Sequence, residues 1–235
     1  NTKEEFDYIV AADGVYSRTK EILFKKEGTP KYFNSIALRG NIQNFENSDI
    51  SLYLGSNFHF VIYPINQNNE FNFISIVRKK LVGSEITNRS LFKDKIFINN
   101  LMSQISSKSD LNLSELVNEI KCFPIFVSKK IKIPNNKNIF FMGDAFFSFP
   151  PSFAQGASQS IESANDLFND LNNNLSNYYK KRILKTKQIN SRSSINHHAF
   201  HIANPINVFF RNIFLKYLSK NKNFLENYLG KIYKN

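Results

Sequence analysis

Cysteine occurs once, tryptophan not at all and glycine only eight times in 235 residues. The lone Cys122 excludes an intrachain disulfide framework and a cysteine-based zinc site, no metal site is expected, and a reducing compartment, the cytoplasm, becomes the default. None of the glycines forms a Gly-x-Gly-x-x-Gly turn, so these residues lack the loop that cradles a dinucleotide pyrophosphate. No apolar run approaches the roughly 20 residues of a membrane span, and no segment has the layout of a signal peptide. Acidic residues are few, 19 against 31 Lys and Arg, for a formal net charge of +12 and a pI near 9.6. That balance suits nucleic acid, an anionic membrane or an anionic cofactor. The lysines are scattered, though, and rise together with Asn, Ile and Phe; without a recognition motif, no nucleic-acid partner is expected.

What remains is a chain of ordinary globular composition, 42% hydrophobic and 21% charged, long enough for one large domain or two modest ones. It opens at Asn1 with only a short polar lead before an apolar strand, as expected of the later part of a longer chain. The organising stretch lies further on. Asn138 to Met142 is an apolar run that stops at Gly143-Asp144-Ala145, followed by Pro150-Pro151, Ala154-Gln155-Gly156-Ala157 and the periodic Ser158 to Leu171. This reads as a buried strand that delivers a carboxylate to a sheet edge, a Pro-rich turn, and a helix entered through Gln155-Gly156.

A similar pattern opens the chain. Phe6 to Ala12 is a short apolar strand ending at Asp13-Gly14, and Ser17 is placed to cap a helix over Thr19 to Phe24, with Arg18 available to an anion. Taken alone, Asp-Gly after a strand is only a turn. From Ser35 the period changes to two, and Ile36 to Gly40, Ile50 to Leu54, Phe58 to Pro64 and Phe71 to Val77 are expected as antiparallel strands. In the third of these, His59, Val61 and Tyr63 share a face; a lone histidine there is ordinarily structural. Leu91 to Met102 and Leu111 to Ile120 read as surface helices, and Cys122 to Val127 as another strand. Asn172-Asn173-Asn174 closes one helix, and a basic helix runs from Leu175 to Ser194. The tail carries Ile206, Phe209, Phe210, Ile213, Phe214, Tyr217 and Leu218 at helical spacing, with Arg211, Lys216 and Lys220 elsewhere on the wheel. Such a helix packs on its own domain or lies on an anionic membrane, and both readings stay open.

Together, Asp13-Gly14-Val15-Tyr16-Ser17-Arg18 and Gly143-Asp144-Ala145 with Pro151 and Ala154-Gln155-Gly156-Ala157 resemble the two signature motifs of single-component FAD-dependent aromatic hydroxylases, of the salicylate hydroxylase and ubiquinone-biosynthesis hydroxylase branches. Leu38-Arg39-Gly40, His59 to Pro64, Glu162-Ser163-Ala164, Tyr178 to Arg182, Asn204-Pro205 and Arg211-Asn212 support it, so the resemblance covers nearly the whole chain. It implies a mixed α/β fold: the C-terminal part of a Rossmann-like FAD-binding domain, an inserted antiparallel-sheet substrate domain and C-terminal helices. The expected segments are 1–30 and 129–175 for the FAD-binding domain, 31–128 for the substrate domain and 176–235 for the helices.

The implied activity is hydroxylation of a small phenolic substrate with NADH or NADPH and O2, by way of a flavin hydroperoxide. The implied cofactor-binding residues are Asp13, Gly14, Arg18, Gly143, Asp144, Ala145, Pro151, Gln155, Gly156 and Ala157. Asp144 would accept a hydrogen bond from a ribityl hydroxyl, and the helix entered at Gly156 would face the pyrimidine side of the flavin, where negative charge gathers on reduction. Asp13 and Arg18 would sit near the pyrophosphate. His59 and Tyr63 lie where relatives carry substrate-pocket residues, and a histidine is suited to deprotonate a phenol. A cytoplasmic protein, a peripheral contact of the tail with the inner membrane and a homodimer are compatible with this reading.

Three features depart from the family pattern. Ala145 is followed by Phe146-Phe147-Ser148 instead of Ala-His-Pro, a bulkier apolar wall near the expected flavin that marks a different substrate or a drifted contact. Leu38 replaces an aromatic. The Gly-x-Gly-x-x-Gly loop is absent: it is expected upstream of Asn1 if these residues are a fragment, and weak or no FAD binding is expected if they are the whole chain. A non-catalytic flavin-fold module, a halogenase and a prenyl reductase are the alternatives; a halogenase is disfavoured by the absence of Trp.

Overall fold

Two regions of period-two sequence and a set of helical stripes arrange the chain into two units, residues 1–33 with 126–195 and residues 34–125 with 196–235. The computed structural model describes residues 3–45, 49–65, 69–109, 111–171, 176–228 and 230–232. In chain order the elements are β1 (Ile9–Ala11), α1 (Arg18–Phe24), β2 (Lys31–Gln43), β3 (Ser51–Gly55), β4 (Phe58–Pro64), β5 (Glu70–Arg78), α2 (Lys95–Ser106), α3 (Leu113–Leu116), β6 (Asn118–Val127), β7 (Ile139–Phe141), α4 (Gly143–Phe146), α5 (Gly156–Leu171), α6 (Ser176–Phe200), α7 (Pro205–Leu218) and α8 (Lys222–Tyr228).

The second unit is organised by a five-stranded sheet in the order β3-β4-β5-β2-β6. Its antiparallel register sets Ile36 against Val77, Leu38 against Ser75, and Phe60 against Ser75. Because side chains alternate, Ile36, Leu38, Ile42, Phe58, Phe60, Ile62, Phe71, Phe73 and Val77 fall on one face, and all are buried. Each such side chain contributes about 1.5–3 kcal/mol of hydrophobic stabilisation. Ser75 shares the face without loss, since its hydroxyl donates to the His59 carbonyl at 3.0 Å. Helix α2, capped by Asp94 through Ile96 N at 2.7 Å, buries Ile98, Leu101, Met102 and Ile105 at a spacing of three to four.

The expected helix over 111–120 is corrected. Only the single turn Leu113–Leu116 is helical, and Asn118 already begins β6. Leu113, Val117 and Ile120 fit a helical stripe, but β2 offers a strand edge, and Gly40 lets the new strand approach it. A Cβ at Gly40 would lie 2.4 Å from Val117 Cγ1 and 2.7 Å from Asn118 O. The polar stretch expected to close a helix, residues 172–174, lies with Leu175 outside the described residues. Helix α6 runs on to Phe200, beyond the expected Ser194.

In the first unit β1 and β7 pair in parallel, Ile9 with Ile139, Val10 with Phe140 and Ala11 with Phe141. Two tyrosines of α6 bond the backbone of β7: Tyr178 donates to Phe141 O at 2.8 Å, and Tyr179 accepts from Phe141 N at 3.0 Å and donates to Ile139 O at 3.1 Å. Burial raises the pKa of both phenols, which stay neutral donors; Tyr179 is pushed up to about 12. Helices α5 and α6 are joined through Arg182, which is buried. Its guanidinium reaches Asp166 at 3.0 Å, Glu162 at 3.4 Å and the Gln159 side-chain oxygen at 2.8 Å.

Candidate functional site

Parallel pairing of β1 with β7 has a direct consequence for the two signature motifs. The strands run the same way and in register, so Asp13-Gly14 after β1 and Gly143-Asp144 after β7 emerge at the same sheet edge. Met142 N donating to Ala11 O at 3.1 Å extends the pairing to the motif itself. The carboxyl edge of parallel strands is where open α/β sheets bind ligands. All ten expected cofactor-side residues belong to this unit, and His59 and Tyr63 belong to the other.

On the β1 side, Gly14 adopts φ +76° and its carbonyl accepts from Ser17 N at 3.1 Å. Ser17 caps α1 as expected, its hydroxyl accepting from Lys20 N at 2.9 Å. The Asp13 carboxylate accepts from Thr19 N and Thr19 Oγ1, both at 3.1 Å. Burial alone would raise its pKa, but hydrogen bonds from Ser17 and Thr19 outweigh this and hold it below the ordinary value. Arg18 is exposed and paired with Glu21 at 2.6 Å.

On the β7 side, Gly143 begins α4 at φ +55°, and a Cβ there would lie 2.7 Å from Ser160 Oγ. Glycine is therefore required twice, by conformation and by the closeness of α5. The backbone from this turn to α5 is held by side chains from four other places. Ser163 accepts from Gly143 N at 3.1 Å, Lys20 Nζ donates to Phe146 O at 2.8 Å, Ser128 accepts from Ser148 N at 3.1 Å, and Ser193 donates to Pro150 O. Pro151 starts a single 3-10 turn that ends in Ala154 at φ +52°, and α5 opens at Gly156.

Asp144 is the chemically distinctive group of this turn. Its carboxylate is solvent-exposed and accepts no hydrogen bond from any described residue, yet surrounding protein atoms desolvate it and raise its pKa. Ala145 beside it is fully buried. Gly156 and Ala157 are exposed, and a Cβ on Gly156 would meet nothing within 4 Å. The first-turn amides of α5 have no acceptors within the helix. A crowded carboxylate able to accept and a helix N-terminus open to close approach thus share one edge, an arrangement suited to a ligand with hydroxyls and developing negative charge.

Phe146 and Phe147 do not form a wall at this edge. Both are buried and pack with Ala11, Phe141 and Ala145, with Phe24 and Tyr179 around them. Lys20 was not singled out by the sequence pattern. It is buried, its pKa is lowered to about 8 by burial, and it links α1 to the exit of the Gly-Asp turn. The only trace of this in the sequence is that Lys20 and Phe24 sit four apart on one helix face.

In the second unit, His59 lies on the sheet face opposite the core, with Val61 and Tyr63 as the alternation requires. It is buried, its Nδ1 is 2.8 Å from His201 Nε2, and Phe200 meets its ring edge-on. Burial, then the charge of a protonated His197, lowers its pKa to about 3, so the ring is neutral at neutral pH. Tyr63 is half-buried and accepts from Asn72 Nδ2. His197 and His201 carried a readable signal, a spacing of four at the end of a helix. Among the described residues no three His, Cys, Asp or Glu side chains are arranged to hold a metal ion.

Several solved structures share this fold. The chain matches Klebsiella pneumoniae HpxO complexed with FAD and uric acid at a TM-score of 0.68 and 15% identity, covering 97% of this chain and 60% of that one. It matches a salicylate hydroxylase substrate complex at 0.68 and 16% identity, covering 96% and 63%. With 2,6-dihydroxypyridine-3-hydroxylase from Arthrobacter nicotinovorans the values are 0.65, 14%, 84% and 60%. The chain thus spans about three fifths of the length of these structures. No curated protein matches it in sequence. Residues 4–197, which contain both motifs and the sheet between them, match the FAD binding domain family, and the chain belongs to that family.

Proposed function

We propose that this chain supplies the ribityl and isoalloxazine side of an FAD site in a monooxygenase that hydroxylates a small aromatic, phenolic substrate with NADH or NADPH and O2. The observation that carries the reading is the Asp144 carboxylate, unpartnered among the described residues, on the same edge as the open N-terminus of α5. Asp144 would hold a ribityl hydroxyl, with Gly143, Ala145 and Pro151 shaping its turn. Gln155, Gly156 and Ala157 would bring helix amides against the flavin ring, and the positive end of α5 would stabilise negative charge there. Asp13, Gly14 and Arg18 would face the pyrophosphate side. Bound FAD supplies the redox chemistry, accepting hydride from the nicotinamide and activating O2 for transfer to an electron-rich ring. His59 and Tyr63 would orient that ring, and His59, neutral at neutral pH, has a lone pair with which to hold a phenolic proton.

The full-length protein, purified, is expected to be yellow and to consume NADH faster when a phenol is added; a colourless full-length protein in excess FAD would refute the reading. Asp144→Asn keeps the shape but removes a charge-assisted acceptor, so FAD affinity should fall about 10-fold to 100-fold. Retained affinity would remove Asp144 from the site. His59→Ala should raise NADH oxidation relative to product formed, and unchanged coupling would exclude it.

A peripheral membrane contact belongs to the same reading. Ile206, Phe209, Phe210, Ile213, Phe214 and Tyr217 of α7 are 52–67% exposed and form one arc of the helix. Lys216 and Lys220 follow on its margin, as a helix lying on anionic lipid requires. No helix of the described residues is long and apolar enough to cross a membrane. Co-sedimentation with vesicles containing phosphatidylglycerol, lost in Phe210→Asp/Phe214→Asp, is the expected result. Equal recovery of both proteins in the supernatant would exclude the contact.

A further inference from the structure

The second unit contains a concavity that neither motif of the FAD-binding family accounts for. It has a volume of about 400 Å³ and lies where β2 begins, β3 turns into β4, β5 ends and α2 runs out. Arg78, Lys79, Lys80 and Lys108 line it together with Asn34 and Asn57, and no carboxylate lines it among the described residues. Among these residues Arg78, Lys80 and Lys108 enter no ion pair. An anion placed in such a hollow is attracted by several cationic groups at once.

The backbone holds the cations in place. Asn34 and Asn57 adopt φ +51° and +68°, a region that asparagine tolerates better than other side chains do. Their carbonyls accept from the successive amides of Lys79 at 2.9 Å and Arg78 at 2.8 Å. The end of β5 is thereby fixed to the turns on both sides, and Lys79 and Lys80 follow it along the hollow. The Lys79 ammonium lies 5.8 Å from the centre of the Phe97 ring, a cation–π contact that limits its freedom. The C-terminal end of α2 contributes a weak negative potential, which Lys108 answers.

We infer that this hollow is a binding site for a small, multiply charged phosphate-bearing anion. The lining offers ammonium groups and side-chain amides, donors that match phosphate oxygens, and among the described residues no acidic side chain that would favour a cation. The volume lies within the range of small-ligand sites and is far below what a nucleic-acid duplex needs. The phosphate groups belong either to free pyrophosphate or to a nucleotide; the site chemistry is common to both. The inference is independent of the flavin reading, because the site lies wholly in residues of the second unit.

Isothermal titration of the full chain with inorganic pyrophosphate, without FAD or NADH, tests it. Saturable binding at low salt is expected, weakening as salt is added. Lys79→Gln/Lys80→Gln should raise Kd about tenfold, and Lys108→Gln, on a different element, should weaken binding in the same direction. The control Lys137→Gln/Lys187→Gln makes the same change in net charge outside the hollow, at exposed residues of the other unit, and should leave Kd within about twofold. ADP binding tighter than pyrophosphate would assign a nucleotide, and equal affinity would assign the phosphates alone. No saturable heat, equal weakening by the control, or citrate binding as tightly as pyrophosphate would overturn the inference.

Discussion

Replacing Gly143 with alanine separates two reasons why the Gly-Asp turn has its shape. At φ +55° an alanine costs about 1–2 kcal/mol for its left-handed backbone alone. Its Cβ would also sit 2.7 Å from Ser160 Oγ and 3.2 Å from Ser160 Cβ, so the serine must rotate or α5 must retreat. Rotation gives up the hydrogen bond from Ser160 Oγ to Gly156 O, now 3.1 Å, at a cost of about 0.5–1.5 kcal/mol. Gly143→Ala should therefore destabilise the protein by about 1.5–3.5 kcal/mol. In a Ser160→Gly background the steric part disappears and only the dihedral cost remains, about 1–2 kcal/mol. Urea unfolding of all four proteins, compared at equal m-values, should give a favourable coupling of about 0.5–1.5 kcal/mol. Costs that add independently would refute the contact with Ser160, and a neutral Gly143→Ala would refute the turn geometry altogether.

The histidines of the second unit predict acid lability. Burial lowers His59 to about 3, His197 to about 4 and His201 to about 2. The unfolded chain binds protons below about pH 6.5 that the folded chain refuses, so stability should fall from there toward pH 4. The slope reaches about 1.4 kcal/mol per pH unit for each histidine; urea midpoints at pH 7, 6 and 5 measure it, and a His201→Gln variant should be less steep. Lys20, lowered to about 8, gives a second window of the same sign at alkaline pH: the folded state holds fewer protons than the unfolded between about pH 8 and 10.5, and stability should rise across it. That rise should vanish in Lys20→Met, which a pH series of thermal unfolding would show. Arg182→Met strips the counter-charge from Asp166, while Glu162 keeps Lys185 at 3.0 Å, and should cost about 3 kcal/mol in denaturant unfolding, near the lower limit for a broken buried pair. Those carboxylates keep 21% and 27% side-chain exposure, which tempers the loss.

Much of the fold was legible because its signals are local. Ser17 as a helix cap, the alternation from Phe58 to Pro64 and the spacing of Ile98, Leu101, Met102 and Ile105 follow from backbone geometry within a few residues. The helix expected over 111–120 failed for a non-local reason, an available strand edge at β2 and a glycine that let Val117 approach it. The expected wall at Phe146-Phe147 failed likewise, since which way a bulky side chain turns depends on the core behind it.

By itself, the sequence determined the elements and their chemistry: a carboxylate after an apolar strand, a glycine at each motif, a helix entrance at Gln155-Gly156, and an amphipathic tail. These depend on residue type and short spacing, which the chain carries wherever it folds. Only the tertiary structure decided that β1 and β7 run parallel and in register, bringing residues 13 and 144 to one edge from more than half the chain apart. It alone placed Lys20 under the Gly-Asp turn, drew His59 to His201, and gathered Arg78, Lys79, Lys80 and Lys108 around one hollow. Such meetings arise from the pairing and packing of segments far apart in sequence, where no local pattern records the partner.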